Sequence, residues 1–244
     1  VVYALRAMTD PSMTANDGLL RPLRIVCPRG SVLNPDPPAA VSVRHNTCQR
    51  LADVLVRAFS DLWPNSAVAS STVTFAAMNL SSSAPGSGRR SVLSDVLGGG
   101  TGAHADGPGL DGVDTYMANV GLMPVEVAET NYSVRVLRTE LIEGSQGRGA
   151  FDGGRGIRRE YLILDGPEVA TYYAEQTNER FRPSGVAGGG DAAPSRVTVL
   201  GSDGRPRDLP QKATIEVEAG TIVRFETSGG GGFGRPSEPV RAGG

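Results

Sequence analysis

Glycine and proline recur along this chain so often that they limit the length of every regular element. The 244 residues include 33 Gly and 17 Pro, together about a fifth of the chain against a usual share nearer one eighth. Because glycine destabilises helix interiors and proline breaks them, an all-helical bundle is excluded. The expected fold is α+β, with short strands and many turns.

One long amphipathic helix interrupts this pattern in the first half of the chain. Ser42 is the predicted N-cap, and Pro64 ends the helix after Trp63. Apolar residues recur between them at helical spacing, which predicts one face packed on a core. These residues are Leu51, Val54, Leu55, Ala58 and Leu62.

The composition changes after this helix. Ser, Gly, Pro and Asp dominate residues 81–114, which predicts a long loop or a pair of loops that buries little surface. Short runs rich in β-branched and aromatic residues follow, separated by turns such as Asp203-Gly204, and they predict antiparallel strands. The runs cover residues 133–137, 159–164, 169–173, 197–200, 215–217 and 222–225.

These patterns predict two parts of different character. Residues 1–125 form a mixed α/β part with the long helix and the glycine-rich loop, and residues 126–244 form an antiparallel β-rich part. The chain opens inside the apolar run from Val1 to Leu5 without a polar cap. We therefore expect a fragment of a longer subunit that exposes apolar surface from Val1 to Met8.

Charge and composition exclude several classes of partner. The 24 basic and 26 acidic side chains nearly cancel, so the positive excess of a nucleic-acid-binding protein is missing. No apolar run reaches the roughly 18 residues that span a bilayer, and no membrane partner is expected. With only Cys27 and Cys48 available for disulfides, a reducing, cytoplasmic location is favoured.

Residues able to carry chemistry are few. The only histidines, His45 and His104, cannot build a histidine-rich metal site. His104 precedes Asp106, Asp111 and Asp114, so a mixed imidazole and carboxylate site is chemically feasible, although loop aspartates usually form turns. The glycine runs in residues 144–156 and 229–234 lack the context of a dinucleotide fingerprint. They predict close backbone packing and β connections with positive φ.

Several sequence blocks together resemble one family, the B-type subunits of the hydantoinase, oxoprolinase and acetone carboxylase group. Their order and spacing over nearly the whole chain are specific, although no single block is decisive. The blocks are NDGLLRP (16–22), PRGSVLNP (28–35), VRH (43–45), QRLADV (49–54), GGGTGA (98–103), PVEVAE (124–129), GRGAFDGGRG (147–156) and GGGGFG (229–234).

The resemblance implies the C-terminal half of a B-type subunit from an ATP-dependent cyclic amide hydrolase, inactive by itself. An A-type subunit would bind ATP and phosphorylate the substrate. The B-type subunit would complete the hydrolysis with a divalent metal held in its N-terminal part. No metal ligand is therefore assigned in these residues, and no cofactor is expected on this chain alone.

Three substrate classes and one competing role stay open. The substrate is a hydantoin, a lactam such as 5-oxoproline, or a ketone that is carboxylated, and a non-catalytic assembly scaffold is the competing class. The sequence departs from the family pattern at two places that bear on this choice. Glu143-Gly144-Ser145-Gln146 replaces a common Asp-Ser-Gly-Gly segment, and Asp152 stands where Arg is common.

We expect the site at the two family-like blocks that contain the histidines. A helix N-terminus and an arginine together favour an anionic phosphorylated intermediate, and a glycine loop allows close approach. The predicted catalytic residues are His104 and His45. The predicted substrate-binding residues are Arg44, Gly99, Gly100 and Thr101.

Overall fold

The computed structural model describes residues 1–82, 91–201 and 204–236. Its α-helices and two antiparallel sheets confirm the predicted α+β class. The chain forms two compact units, the first from Val1 to Ala67 and the second from Val68 onward. The division predicted at residue 125 stays a prediction. Residues 83–90 of the predicted loop and Asp203 of the predicted turn lie outside the described residues.

The first unit contains two helices that contact each other, α1 (Val2–Met8) and α2 (Arg44–Leu62). The predicted long helix is confirmed, with Trp63 as its C-cap before Pro64. Its N-cap is Val43 without a side-chain hydrogen bond, so the predicted capping by Ser42 is wrong. Among the described residues no helix is long and apolar enough to cross a bilayer.

The buried face of α2 differs from the predicted one. Its buried residues are Gln49, Ala52, Asp53, Val56 and Ser60. In contrast, Val54 is 59% exposed and Leu62 67% exposed. The small side chains of Ala52 and Ser60 allow close approach of a neighbouring element, which periodicity of large apolar residues does not detect.

The second unit contains two antiparallel sheets. Sheet 1 has the order β2-β1-β5-β8, formed by β1 (Ala76–Ser82), β2 (Val92–Leu97), β5 (Glu168–Tyr173) and β8 (Lys212–Val217). Sheet 2 has the order β3-β4-β9-β6-β7, formed by β3 (Val134–Leu141), β4 (Ile157–Ile163), β6 (Arg196–Leu200), β7 (Pro206–Asp208) and β9 (Ile222–Glu226). A short helix, α3 (Val125–Asn131), precedes β3 and contacts it.

All six predicted strands are present, but β2 corrects the prediction for residues 81–114. That stretch is predicted to be loop with little burial, yet Leu93 and Leu97 are fully buried. Asp95 points to the same buried face of the strand as these two leucines. Because a carboxylate at a buried position is unusual, the alternation of apolar and polar residues that marks a strand is not visible in the sequence. The sequence patterns also missed β1, β7, α1 and α3.

The hydrophobic core of the second unit lies between the two sheets. Tyr172 of sheet 1 meets Phe225 of sheet 2 edge to face, with ring centroids 6.0 Å apart. Tyr161 packs on the same ring at 6.4 Å. All three side chains are buried, so large aromatic residues join the two sheets.

Candidate functional site

The glycine loop that follows β2, residues 98–103, is enclosed by the hydroxyl-rich segment 69–72 and by three glycine-rich segments, residues 147–156, 185–190 and 228–234. We call these five segments together the glycine lattice. They are held together mainly by hydrogen bonds between backbones rather than by side-chain contacts.

The backbone groups of the loop are satisfied within the lattice. The N–H of Gly100 donates to the Ser228 carbonyl at 3.2 Å, and the Gly100 carbonyl accepts from Thr72 at 2.9 Å. The N–H and carbonyl of Gly99 both bond to Val113, at 2.9 and 2.7 Å. Gly99 and Gly100 are buried. Their predicted contact with a substrate stays a prediction, and the geometry by itself gives them a packing role.

Glycine is required in the lattice because the backbones approach closely. A Cβ on Gly100 would lie 1.9 Å from the Gly154 carbonyl oxygen, and a Cβ on Gly230 would lie 1.8 Å from that of Thr101. The predicted close packing of the glycine runs is confirmed. Positive φ is the exception in them, since only Gly144 and Gly234 have it.

Buried hydroxyl groups complete the lattice, and motif analysis missed them. The Thr72 Oγ1 donates to the Ser228 carbonyl at 2.5 Å, and Ser71 Oγ accepts from Gly102 N–H at 2.9 Å. Thr115 Oγ1 donates to the Thr72 carbonyl at 2.5 Å. The Ser70-Ser71-Thr72 run was the available signal, because consecutive hydroxyl residues can satisfy a buried backbone.

Thr101 and His104 lie at the outer side of the loop. Thr101 is half-buried, and its Oγ1 accepts from the Leu110 N–H at 2.7 Å. His104 is exposed, and its Nδ1 accepts from the Asp106 N–H at 3.3 Å. Because Nδ1 acts as an acceptor, the neutral imidazole carries its proton on Nε2. In this tautomer His104 presents an N–H donor beside the lattice.

Arg155 binds Asp111, which lies further along the same loop. The Arg155 N–H donates to Asp111 Oδ1 at 2.6 Å, and its guanidinium donates to Oδ2 at 2.7 and 3.1 Å. The same guanidinium also forms an ion pair with Glu143. Hydrogen bonding from Arg155 lowers the pKa of Asp111, and the two carboxylates raise the pKa of Arg155.

The described residues do not fit a metal ion. No group of three or more His, Cys, Asp or Glu side chains in the described part of the chain is arranged to hold one. Of the aspartates near His104, Asp111 is bound to Arg155, and Asp114 Oδ2 accepts from the Val120 N–H at 3.0 Å. We therefore assign no metal-dependent step to these side chains.

A buried ionic network at β2 holds the segment before α3. Tyr161 donates to Asp95 Oδ2 at 2.7 Å, and Arg159 Nε lies 3.4 Å from the same oxygen. Met123 donates its N–H to Asp95 at 3.2 Å and accepts from Arg159 at 2.7 Å. Burial, followed by the charge of Asp95, raises the pKa of Tyr161 well above its usual value. Asp95 and Arg159 alternate with buried apolar residues along β2 and β4, and this spacing was the sequence signal that could have predicted their burial.

The remaining predicted residues begin α2 in the first unit. Arg44 and His45 are its first two residues, and both are exposed. The structure therefore groups Gly99, Gly100, Thr101 and His104 in one loop of the second unit. A site that combines this loop with Arg44 and His45 stays a prediction.

Solved structures of two enzymes share this fold. An ATP-dependent caprolactamase from Pseudomonas jessenii aligns with a TM-score of 0.80 at 23% identity, over 98% of this chain and 43% of its own. A nucleotide-free acetone carboxylase aligns with a TM-score of 0.78 at 17% identity, over 96% of this chain and 36% of its own. At such identities the likeness shows a common fold.

Sequence comparison identifies the family. The 5-oxoprolinase of Dictyostelium discoideum is 33% identical over 241 residues, which are 98% of this chain and 18% of the oxoprolinase. The chain thus spans less than half the length of each of these three relatives. The family model described as hydantoinase B/oxoprolinase matches residues 1–236. The chain belongs to the hydantoinase B/oxoprolinase family.

Proposed function

We propose that this chain is the C-terminal segment of the B-type subunit of an ATP-dependent cyclic amide hydrolase. An ATP-binding A-type subunit phosphorylates the substrate, and the B-type subunit completes the hydrolysis. ATP is needed because an unstrained cyclic amide is a poor electrophile. Phosphorylation of its oxygen activates the carbon and creates a better leaving group.

The observation that carries this proposal is the family match over residues 1–236. The 5-oxoprolinase and the caprolactamase among the relatives are named for ring amides, which supports a cyclic amide as substrate. In the proposal, ATP and a divalent metal bind outside this chain.

Within this chain, the proposal assigns His104 the role of proton donor. The side chain of His104 is exposed, and its backbone is fixed by reciprocal hydrogen bonds with Gly107 at 3.0 and 3.3 Å. A group that transfers protons must be accessible and held in position. The glycine lattice supplies the positioning, because Gly99 and Gly100 anchor the loop that carries Thr101 and His104.

The first unit supports a polypeptide partner. The predicted apolar surface at Val1 to Met8 is wrong in part, because Ala4 and Met8 are buried within the chain. Exposed apolar residues lie instead between α1 and α2, and on α2 itself. They are Leu20, Ile25, Val26, Val32, Leu33, Val41, Val43, Val54 and Leu62. We infer that the N-terminal part of the same B-type subunit covers them, because exposed apolar patches mark binding surfaces.

A cytoplasmic location forms part of the proposal. Cys27 and Cys48 are both free thiols, which suits a reducing compartment.

A ketone carboxylase is the second candidate. It is supported by the acetone carboxylase fold, which covers 96% of this chain. The two candidates differ in the electrophilic carbon, which is the amide carbonyl in the hydrolase and the carbon of ATP-activated bicarbonate in the carboxylase. Product analysis therefore separates them directly.

The test is reconstitution of the complete enzyme. The chain, joined to the remainder of its subunit and mixed with the A-type subunit, ATP and divalent metal, is offered 5-oxoproline, hydantoin, caprolactam, or acetone with bicarbonate. We expect ADP release with a ring-opened product from one cyclic amide, and no turnover by the 244-residue chain alone. Turnover by the isolated chain, or a carboxylated ketone as the only product, would contradict the hydrolase proposal.

Two variants of the reconstituted enzyme test the site. His104→Ala and Arg44→Ala should each lower kcat at least tenfold, about 1.4 kcal/mol of transition-state stabilisation, without changing the melting temperature. Arg180→Ala, at another exposed arginine, is the control and should keep full activity. Full activity in both test variants, or loss of activity only through unfolding, would favour the scaffold alternative.

A further inference from the structure

In the part of the chain that the structure describes, strand β8 has no neighbouring strand on its outer side and forms an open edge of sheet 1. It pairs with β5 on one side and is the last strand in the sheet order. The strand has the sequence KATIEV and contains no proline or glycine. Proteins usually blunt an edge strand with a proline, a bulge or a covering segment, because its unpaired backbone groups attract another strand.

The register shows which residues of β8 point their backbone groups outward. Tyr173 pairs with Lys212, and the next pair in that register is Ala174 with Gln211, where the Ala174 N–H donates to the Gln211 carbonyl at 2.7 Å. Hydrogen-bonded and non-hydrogen-bonded pairs alternate along antiparallel strands. Lys212, Thr214 and Glu216 therefore direct their N–H and carbonyl groups toward the open edge.

The side chains of the same three residues are exposed on one face of sheet 1. Lys212 is the single lysine of the chain. Within residues 1–82, 91–201 and 204–236, neither Lys212 nor Glu216 has an ion-pair partner. Among the outward positions of β8, Lys212 is positive and Glu216 is negative, and they lie two residues on either side of Thr214.

This arrangement is self-complementary about Thr214, and we propose that β8 pairs with β8 of a second copy of the chain. In the two-fold antiparallel register centred on Thr214, Lys212 of each copy lies opposite Glu216 of the other. Every outward N–H and carbonyl of the three residues then finds a partner, and both charges gain an opposite charge across the strands. Sheet 1 becomes a continuous eight-stranded sheet through an isologous interface.

A second copy fits this edge better than an unrelated strand. A strand of arbitrary sequence would satisfy the backbone groups but would not match the positions of both charges. The two-fold register produces two Lys212–Glu216 pairs from one sequence. The inference does not depend on the proposed activity, so its failure would leave the hydrolase proposal intact.

Charge exchange tests the register. The 244-residue chain should sediment as a concentration-dependent dimer over about 1 to 100 µM in analytical ultracentrifugation. Lys212→Glu and Glu216→Lys should each weaken the dimer about tenfold or more, because like charges then face each other twice. The double variant Lys212→Glu with Glu216→Lys should restore it. Thermal unfolding of each variant serves as the control for folding.

Disulfide trapping tests the position of the two-fold axis. In a background of Cys27→Ser and Cys48→Ser, Thr214→Cys should form a disulfide-linked dimer on oxidation, because paired Cα atoms lie about 5.5 Å apart. Glu216→Cys is the matched control and should not, because its two copies would lie about 14 Å apart. A monomer at all concentrations, a dimer insensitive to both charge reversals, or equal trapping at the two positions would overturn the proposal.

Discussion

The second unit contains two regions that are closely packed by opposite means. Between the sheets, large side chains such as Tyr172 and Phe225 fill the space. In the glycine lattice, the glycines at the closest contacts have no side chains and the backbones lie against each other, as at Gly100 and Gly154. The region between the sheets needs large side chains, and the glycine lattice needs residues without side chains. A large-to-small substitution should therefore destabilise the first region, and a small-to-large substitution should destabilise the second.

The largest expected effect is truncation in the aromatic core. Phe225→Ala should lower the free energy of unfolding by about 4 kcal/mol, because it removes buried surface and leaves a cavity between the sheets. Denaturant titration followed by circular dichroism measures this loss. Phe181→Ala is the control, since Phe181 is 60% exposed, and it should change stability by less than about 0.5 kcal/mol. Similar losses in both variants would show that the ring of Phe225 does not join the sheets.

The next largest effect is enlargement in the lattice. Gly100→Ala should cost about 3 kcal/mol, because a methyl group 1.9 Å from the Gly154 oxygen forces two backbones apart. Chemical denaturation is again the measurement. Gly121→Ala is the matched control, because no atom lies within 4 Å of its Cβ position, and it should be neutral or slightly stabilising. Equal behaviour of the two alanine variants would contradict close backbone packing.

The smallest effect is expected at the ion pair of Asp111 and Arg155. Hydrogen bonding from Arg155 lowers the pKa of Asp111 in the folded state, so the pair stabilises the fold above the unfolded pKa of about 3.9. This contribution disappears as pH falls through the lower folded pKa. The side chains of Asp111 and Arg155 are 34% and 31% exposed, and solvent screening keeps the contribution of the pair small.

Unfolding free energies of the wild type and Asp111→Asn, measured from pH 3 to pH 7, check the sign. The difference should be largest near neutral pH and should shrink toward the acid end. A difference that grows as pH falls would contradict the role assigned to this pair. Asp36→Asn is the control at a more exposed pair, in which Arg29 is 81% and Asp36 53% exposed.

Local sequence patterns predicted which segments form helices and strands better than they predicted which residues of those segments are buried. The periodicity of α2 predicted a helix, and its large apolar residues predicted the wrong buried face, because Ala52 and Ser60 are buried while Val54 is exposed. Alternation predicted strands where apolar residues marked one face. It missed β2, where Asp95 occupies an inward position that becomes acceptable only beside Arg159 and Tyr161.

The candidate site also has a part that the sequence predicted and a part that it did not. The family blocks indicated the loop with Thr101 and His104, and the structure describes both residues at its outer side. The clamp from Arg155 to Asp111 joins residues 44 positions apart, and nothing in either local sequence marks the partner. Such pairs arise only when the chain brings distant segments together.

By itself, the sequence determined the α+β class, the long helix, six strands and the need for close packing at the glycines. Each of these follows from local steric preference or from periodicity within a few residues. Only the tertiary structure decided which face of α2 is buried, why Asp95 tolerates burial, and which backbones meet in the lattice. Thr72 bonds to Ser228 across 156 positions of the chain, and hydrogen bonds of that kind depend on where the whole fold places two segments, a property that no local window of sequence contains.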